Sequence, residues 1–265
     1  MVRIQNKRIL LILIGTVVCL ILTGCSSFDA ETQTQEETQT QEESSAQADS
    51  DIHAELENPE IPKIKDDAVH LAFVGDSVTF GNGVWVTEKS KEHTYPAYIE
   101  RMMGDGYQAL NYGVSGKTLL KEGDEPYTAH YMYDESINAN ADTYVIMLGS
   151  NDSKPQNWNT GNFHSELKAF AQTYIDLESH PEVFLATPPR AFEEAEEAFD
   201  LNNDIIENKI APTVRKVAKE LDVPMIDVYE KSKDHPEWFM DGSHPNATGN
   251  KALAKIMVPY LTEEQ

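Results

Sequence analysis

From Ala68 onward, short apolar runs alternate with longer segments in which apolar residues recur three and four positions apart. The short runs predict buried strands and the longer segments predict amphipathic helices. The predicted strands are Val69 to Val74, Ala109 to Tyr112, Tyr144 to Leu148, Val183 to Ala186 and Met225 to Val228. The predicted helices lie around Tyr95 to Met103, Phe163 to Leu177, Leu201 to Leu221 and Ala247 to Tyr260. This alternation predicts an α/β domain whose parallel sheet is covered by helices on both faces.

The first 24 residues have a different pattern, which is typical of a secretory signal peptide. Three basic residues and no acidic one occur among the first eight, and an apolar run from Ile9 to Leu22 follows. A membrane-spanning helix needs roughly 20 apolar residues, so a run of about 14 is too short to be a permanent anchor. We therefore assign residues 1–24 to targeting and exclude them from the fold.

The end of this segment, Leu22-Thr23-Gly24-Cys25, resembles the bacterial lipobox. The resemblance implies that Cys25 is lipidated and becomes the mature N-terminus. The protein would then be extracytoplasmic and anchored by its lipid to the outer face of a bacterial cell membrane, with no other membrane contact. The alternative is an ordinary cleaved signal peptide in which Cys25 has no role.

Residues 25–67 are predicted to form a disordered acidic linker. The six-residue unit TQTQEE occurs twice in this stretch, which has almost no aromatic or branched apolar content. Such a segment cannot bury enough apolar surface to offset the entropy lost on ordering. The predicted organisation is therefore a signal peptide, a tether and one domain over residues 68–265.

Charge and cysteine content narrow the possible ligands. The chain has a net charge of −24, and residues 68–265 account for −16 of it. A domain this acidic is not expected to bind nucleic acid. The only cysteine besides Cys25 is Cys19, inside the apolar run, so the domain has neither a disulfide nor a cysteine metal site. We predict no cofactor and no metal.

Polar residues follow three of the predicted strands at the points where these strands end. Gly75-Asp76-Ser77 ends the first strand, Asn111 to Thr118 follows the second, and Gly149-Ser150-Asn151-Asp152 follows the third. Ligands of parallel α/β sheets bind beyond the carboxyl ends of the strands, so we expect the three turns to share one crevice. Each turn taken alone is also typical of a plain turn or a helix cap.

A serine and a distant histidine are the candidate catalytic groups. A serine hydroxyl is a poor nucleophile at neutral pH and needs a nearby base. The stretch Asp241-Gly242-Ser243-His244 offers one, because a carboxylate three residues before a histidine can reach its Nδ1 across a tight turn. The α/β-hydrolase elbow Gly-x-Ser-x-Gly is not met, since Thr79 occupies the position of its second glycine. A different serine-hydrolase scaffold is indicated.

Taken in this order, the four motifs resemble the SGNH hydrolases, also called GDSL esterases, over nearly all of residues 68–260. The resemblance implies a flavodoxin-like three-layer α/β/α sandwich with a central five-stranded parallel sheet. It implies a catalytic triad of Ser77 as nucleophile, His244 as general base and Asp241 as its orienting acid. The implied oxyanion hole consists of the backbone N–H groups of Ser77 and Gly116 and the side-chain amide of Asn151.

The stretch Ser90 to Asn159 resembles, more narrowly, the carbohydrate O-acetylesterase branch of this family. The implied function is a serine esterase that removes acetyl groups from an acetylated carbohydrate through an acyl-enzyme. Three aromatic residues in the loops beside the motifs, Trp85, Trp158 and Trp238, are predicted to bind the sugar, because flat aromatic faces suit the C–H faces of sugar rings.

Three alternatives stay open at the level of sequence. A lysophospholipase or thioesterase would use the same triad, although no long apolar groove or lid helix is evident. A metallophosphoesterase could share the Gly-Asp and Asn-Asp signals, but a leading Asp-x-His motif is missing. A noncatalytic sugar-binding lipoprotein is disfavoured by the presence of Ser77, Asp241 and His244 together.

Overall fold

The computed structural model describes residues 54–262, apart from the side chain of Thr160. The predicted signal peptide, Cys25 and the linker as far as residue 53 lie outside the described residues. The five strands form one parallel sheet in the order β2-β1-β3-β4-β5. Their bounds are β1 Val69–Gly75, β2 Tyr107–Gly113, β3 Thr143–Met147, β4 Glu182–Ala186 and β5 Met225–Ile226.

Helices precede or follow every strand. They are α1 Ser77–Phe80, α2 Asn82–Glu88, α3 Tyr95–Met103, α4 Tyr131–Asn138, α5 Thr160–Ile175, α6 Glu193–Phe199, α7 Asn203–Ile205, α8 Ala211–Leu221, α9 Val228–Ser232 and α10 Ala247–Thr262. Short 3-10 turns cover Tyr127–Ala129, Asn151–Ser153 and Pro236–Trp238, and a π-helical turn covers Ile206–Ile210. Among the residues described, no helix is both long and apolar enough to cross a membrane.

Two hydrophobic layers lie on opposite faces of the sheet, because successive strand residues point to opposite sides. In β1, Ala72 and Val74 pack into a layer that includes apolar residues of α5 and α8. Leu71 and Phe73 pack into the other layer, with residues of α3 and α10. The structure therefore confirms the predicted three-layer sandwich, and its strand order is that of flavodoxin-like folds.

Strand β1 lies between β2 and β3, and this position brings the candidate motifs together. Gly75 at the end of β1 is in register with Gly113 of β2 on one side and with Met147 of β3 on the other. The chain leaves β1 toward β2 and later returns to add β3 on the opposite side. The resulting switch point, where ligands of such sheets bind, lies beyond the end of β1.

The predicted helix from Leu201 to Leu221 is interrupted in the structure. The helical run begins at Asn203 and widens into the π-helical turn before α8. Pro212 accounts for the widening, because it has no N–H to donate and its ring would clash with the carbonyl of Asn208 in a regular α-helix. Helix α6 was not predicted, and it ends at Phe199, which lines the cavity of the candidate active site.

The described part of the predicted linker differs from the expectation of disorder. Residues 54–67 hydrogen-bond to the domain at both ends of the segment. The ring of His130 donates to the carbonyl oxygen of Glu57 at 2.9 Å, and the backbone N–H of Lys65 donates to the side chain of Gln108 at 2.8 Å. Residues 54–67 are therefore part of the described fold, which extends the domain to positions before the predicted boundary at residue 68.

Candidate active site

Ser77 is the first residue of α1 and follows directly on β1. Asp76 caps this helix, since its Oδ1 accepts the backbone N–H of Val78 at 3.0 Å. The other oxygen, Oδ2, is buried without a hydrogen-bond partner among the described residues. Burial raises the pKa of Asp76, and the bond from Val78 offsets this only in part. Asp76 is therefore a buried capping residue that positions the turn presenting Ser77. We assign it a structural role and not that of a nucleophile or base.

The structure brings together Ser77, His244 and Asp241, as the sequence predicted. The distance from Ser77 Oγ to His244 Nε2 is 3.0 Å, and that from His244 Nδ1 to Asp241 Oδ2 is 2.7 Å. An ionised Asp241 accepts a hydrogen bond from Nδ1–H, so the neutral ring carries its hydrogen on Nδ1, and Nε2 is free to accept the proton of the Ser77 hydroxyl. The imidazole is thus held in the tautomer that a general base requires.

Backbone hydrogen bonds hold Asp241 independently of the histidine ring. Its Oδ1 accepts the N–H groups of Ser243 at 3.1 Å and His244 at 2.8 Å. Gly242 permits this tight turn, because its φ of +81° lies in the region that other residues rarely adopt. Burial alone would raise the pKa of Asp241, but the bonds from His244 and Ser243 outweigh burial and hold the pKa below its ordinary value. Asp241 is therefore a carboxylate in the neutral pH range.

The predicted oxyanion donors Gly116 and Asn151 line the same cavity as Ser77. Gly116 has a φ of +77°, and an added Cβ there would meet no atom within 4 Å, so backbone conformation and not crowding requires glycine. The Nδ2 of Asn151 donates to the carbonyl oxygen of Lys117 at 3.2 Å. An amide nitrogen carries two hydrogens, so the second is available to a ligand in the cavity.

Asp152 links the loop that carries Asn151 to the loop that carries Gly116. Its two carboxylate oxygens accept the backbone N–H groups of Leu119 at 2.9 Å and Leu120 at 2.8 Å. Burial raises the pKa of Asp152 to about 7, against the opposing effect of these two bonds. The side chain is fully buried and does not line the cavity, so it fixes the relative position of the two loops that carry the predicted oxyanion donors.

We expect Asn151→Ala to lower kcat by about 100- to 1000-fold and to leave KM nearly unchanged, because the amide would bind charge that develops only in the transition state. Hydrolysis of an aryl acetate measures both constants. Asn138→Ala, at an exposed position at the end of α4, is the matched control and should retain native kinetics. Undiminished kcat in Asn151→Ala would contradict the assignment of this amide to the oxyanion hole.

The cavity that contains these groups is small, and most of the residues that line it have polar side chains. Its volume is about 170 Å³. Besides the residues already assigned, the structure adds lining residues that were not predicted: Asn82, Ser115, Ser150, Lys154, Phe199, Leu201 and Ser243. Phe199 and Leu201 are the only large apolar members of this lining, and the Phe199 ring contacts His244 edge-on with the centroids 5.3 Å apart.

The three tryptophans predicted to bind sugar lie elsewhere, since none is among the described residues that line this cavity. Trp85 packs edge-on against Phe80, and Trp158 packs against Phe163 beside the hydrophobic core. Trp238 stacks on the ring of a neighbouring histidine on the outer surface. A loop position near a motif does not determine which surface a side chain lines, and here none of the three rings lines the cavity that holds Ser77.

A hydrogen-bonded serine, histidine and aspartate at the carboxyl end of a parallel sheet is the arrangement that serine hydrolases use. The model of the GDSL-like lipase/acylhydrolase family matches residues 73–252, and the chain belongs to this family. The match spans the region from β1 to α10 and therefore includes all of the residues placed at the site.

Two relatives are similar to this chain in sequence. The chain is 33% identical over 220 residues to an acetylxylan esterase of Xylanibacter ruminicola, an alignment that covers 76% of this chain and 45% of the relative. It is 29% identical over 150 residues to the rhamnogalacturonan acetylesterase RhgT of Bacillus subtilis, which covers 51% of this chain and 59% of that protein. The chain thus spans about half the length of these relatives.

Solved structures show the same fold at lower sequence identity. The crystal structure of a carbohydrate acetylesterase family member from Sinorhizobium meliloti superposes with a TM-score of 0.60 at 23% identity. The superposition covers 72% of this chain and 96% of the other. This similarity supports the three-layer architecture described above.

Proposed function

We propose that this protein is a serine esterase that removes O-acetyl groups from carbohydrates. The observation that carries the proposal is the hydrogen-bonded chain from Asp241 through His244 to Ser77, which lies beside a small cavity that the predicted oxyanion donors Gly116 and Asn151 also line. The names of the two relatives, an acetylxylan esterase and a rhamnogalacturonan acetylesterase, support the carbohydrate part of the proposal.

The mechanism follows from the hydrogen bonds of the site. Ser77 Oγ attacks the ester carbonyl while His244 Nε2 takes its proton, and the negative charge on the carbonyl oxygen is bound by the oxyanion donors. His244 then gives the proton to the sugar oxygen as its bond to the carbonyl carbon breaks. The sugar leaves with a free hydroxyl, and the acetyl group stays on Ser77. Water activated by His244 attacks this acyl-enzyme and releases acetate. Asp241 stabilises the imidazolium that forms in both halves of the reaction.

The size and lining of the cavity favour an acetyl group over a long acyl chain. Ligand pockets for larger molecules have volumes of about 300–1,000 Å³, whereas this cavity measures about 170 Å³. A fatty acyl chain also requires a continuous apolar wall, and Phe199 and Leu201 alone do not form one. The lipid-esterase alternative therefore lacks the surface that it needs.

A series of p-nitrophenyl esters tests this preference. We expect kcat/KM for the acetate to exceed that for the octanoate at least about tenfold, because the longer chain does not fit beside Ser77. Release of acetate from acetylated xylan and other acetylated glycans, followed by mass spectrometry, then identifies the sugar. Faster hydrolysis of the octanoate would support a lipid esterase, and the absence of any ester hydrolysis would support a noncatalytic protein.

We also propose that the esterase is anchored at the outer face of a bacterial cell membrane through a lipid on Cys25. The proposal is supported by the lipobox-like sequence and the acidic segment that follows it. Fractionation of cells that express Cys25→Ala tests it, since the variant is expected in the soluble fraction. A variant that stayed with the membrane would contradict the anchor.

A further inference from the structure

A groove along α10 combines lysines with aromatic rings and lies outside the catalytic cavity. Two adjoining cavities, of about 430 and 460 Å³, share Lys255 and Ile256 in their linings. We call this surface the α10 groove and define it by Lys231, Trp238, Lys251, Lys255, Ile256 and Tyr260. Trp238 was predicted to bind sugar from its position in the sequence, and it lines this groove instead of the cavity that holds Ser77.

The groove follows one face of the helix for about three turns. Thr248, Lys251, Lys255 and Pro259 line it and are spaced three or four residues apart, which places them on the same side of an α-helix. Leu253 and Met257 face the opposite way and are buried in the hydrophobic layer beneath. At 1.5 Å per residue, the lining from Thr248 to Pro259 extends over roughly 16 Å.

The charge of the groove is opposite to that of the rest of the domain. Three lysines and no acidic residue line it, although residues 68–265 carry a net charge of −16. Other lysines form ion pairs, such as Lys233 with Glu230 at 2.8 Å. Within residues 54–262, Lys231, Lys251 and Lys255 form none. The positive electrostatic potential of these three lysines attracts an anionic ligand.

The aromatic rings of the groove suit a sugar chain better than a lipid surface. His235 stacks on Trp238 with the centroids 3.9 Å apart and the planes at 3°, which fixes the orientation of the indole. Trp238, Ile256 and Tyr260 are all partly buried, whereas a membrane-binding helix presents large apolar residues that protrude. A shallow groove with an oriented indole can hold an extended sugar chain.

One end of the groove adjoins the loop that carries the catalytic histidine. The carbonyl oxygen of Trp238 accepts the backbone N–H of Asn246 at 2.9 Å, and Phe239 pairs with Pro245. Trp238 precedes His244 in sequence and Thr248 follows it, and the hydrogen bond to Asn246 ties Trp238 to the loop of His244. A chain bound in the groove would continue from this end toward the active-site region.

We propose that the α10 groove binds an anionic glycan chain, whose carboxylate or phosphate groups contact the three lysines and whose sugar rings contact Trp238 and Tyr260. This binding goes beyond the esterase activity proposed above and does not require Ser77. Its role would be to hold the enzyme on a charged polysaccharide while the catalytic cavity acts on acetyl groups.

Binding of the full-length protein to polygalacturonate tests the groove by isothermal titration calorimetry. The same polymer with its carboxylates methyl-esterified is the uncharged control ligand. We expect binding to the charged form only, weakened by added salt, and weakened at least about tenfold in the double variant Lys251→Glu/Lys255→Glu. The double variant Lys209→Glu/Lys219→Glu makes the same change in net charge on exposed residues outside the groove and should bind like the native protein. A glycerol-phosphate wall polymer, tested in parallel, shows whether phosphate can replace carboxylate.

Three results would overturn the proposal. They are no binding to either anionic polymer, equal weakening in the two double variants, and lysine-dependent binding to phosphatidylglycerol vesicles in the absence of polymer binding. Hydrolysis of p-nitrophenyl acetate, measured on the same samples, reports the proposed esterase function separately. A loss of polymer binding with full ester hydrolysis would refute only the groove, and the reverse result would refute only the esterase.

Discussion

Replacing Ser77 by alanine is expected to lower kcat for ester hydrolysis by about 10⁵- to 10⁶-fold, the largest effect of any single substitution in this protein. The substitution removes the oxygen that would form the acyl-enzyme and leaves the imidazole without its partner at 3.0 Å. Since the helix cap is made by Asp76 and not by Ser77, the turn itself should persist. Hydrolysis of p-nitrophenyl acetate gives the rate, and the thermal unfolding midpoint shows whether the fold is intact.

Labelling with a fluorophosphonate probe tests the same prediction at the level of one atom. The native protein should form a covalent adduct located at Ser77 by peptide mass spectrometry, and Ser77→Ala should form none. Ser165→Ala removes a hydroxyl from an exposed position on α5 and should react like the native protein. An adduct at another serine, or undiminished hydrolysis by Ser77→Ala, would mean that Ser77, His244 and Asp241 are not the catalytic residues.

The meeting of Ser77, His244 and Asp241 could be predicted from sequence because the relevant signals are local. Asp241 and His244 are three residues apart and make their contact within one tight turn. Ser77 lies at the end of an unmistakable apolar strand, and parallel pairing fixes which strand ends are neighbours. The bounds of α3, Tyr95–Met103, could be predicted for a similar reason, since Thr94 caps its start and Gly104 its end.

The walls of the cavity could not be predicted, because they depend on packing between distant segments. Phe199 and Leu201 reach the cavity from the end of α6, an acid-rich helix in which only Ala195 is buried and which therefore lacks an apolar face. The position of the tryptophans in the sequence did not predict whether they line this cavity. Their loops lie near the motifs, but the direction of each ring is set by a local partner such as Phe163 for Trp158.

Replacing Asp241 by asparagine is expected to lower kcat by about 10⁴-fold without unfolding the loop. The asparagine oxygen can still accept the backbone N–H groups of Ser243 and His244, so the turn should persist. Its amide, however, would donate to His244 Nδ1, which then has to be the unprotonated nitrogen. Nε2 would carry the hydrogen and could no longer accept the proton of Ser77. The enzyme would be folded, with its base in the wrong tautomer.

The lowered pKa of Asp241 makes this substitution informative over the whole assay range. Because its pKa lies below the ordinary value of about 3.9, the native carboxylate is ionised from about pH 5 to pH 9, and asparagine represents no state that the native enzyme adopts there. The loss in kcat should therefore appear at every pH in this range. Asp134→Asn, which removes the same charge from an exposed position on α4, should keep native activity. If both variants retained activity, the tautomer of His244 would not depend on Asp241, and the assignment of the triad would be wrong.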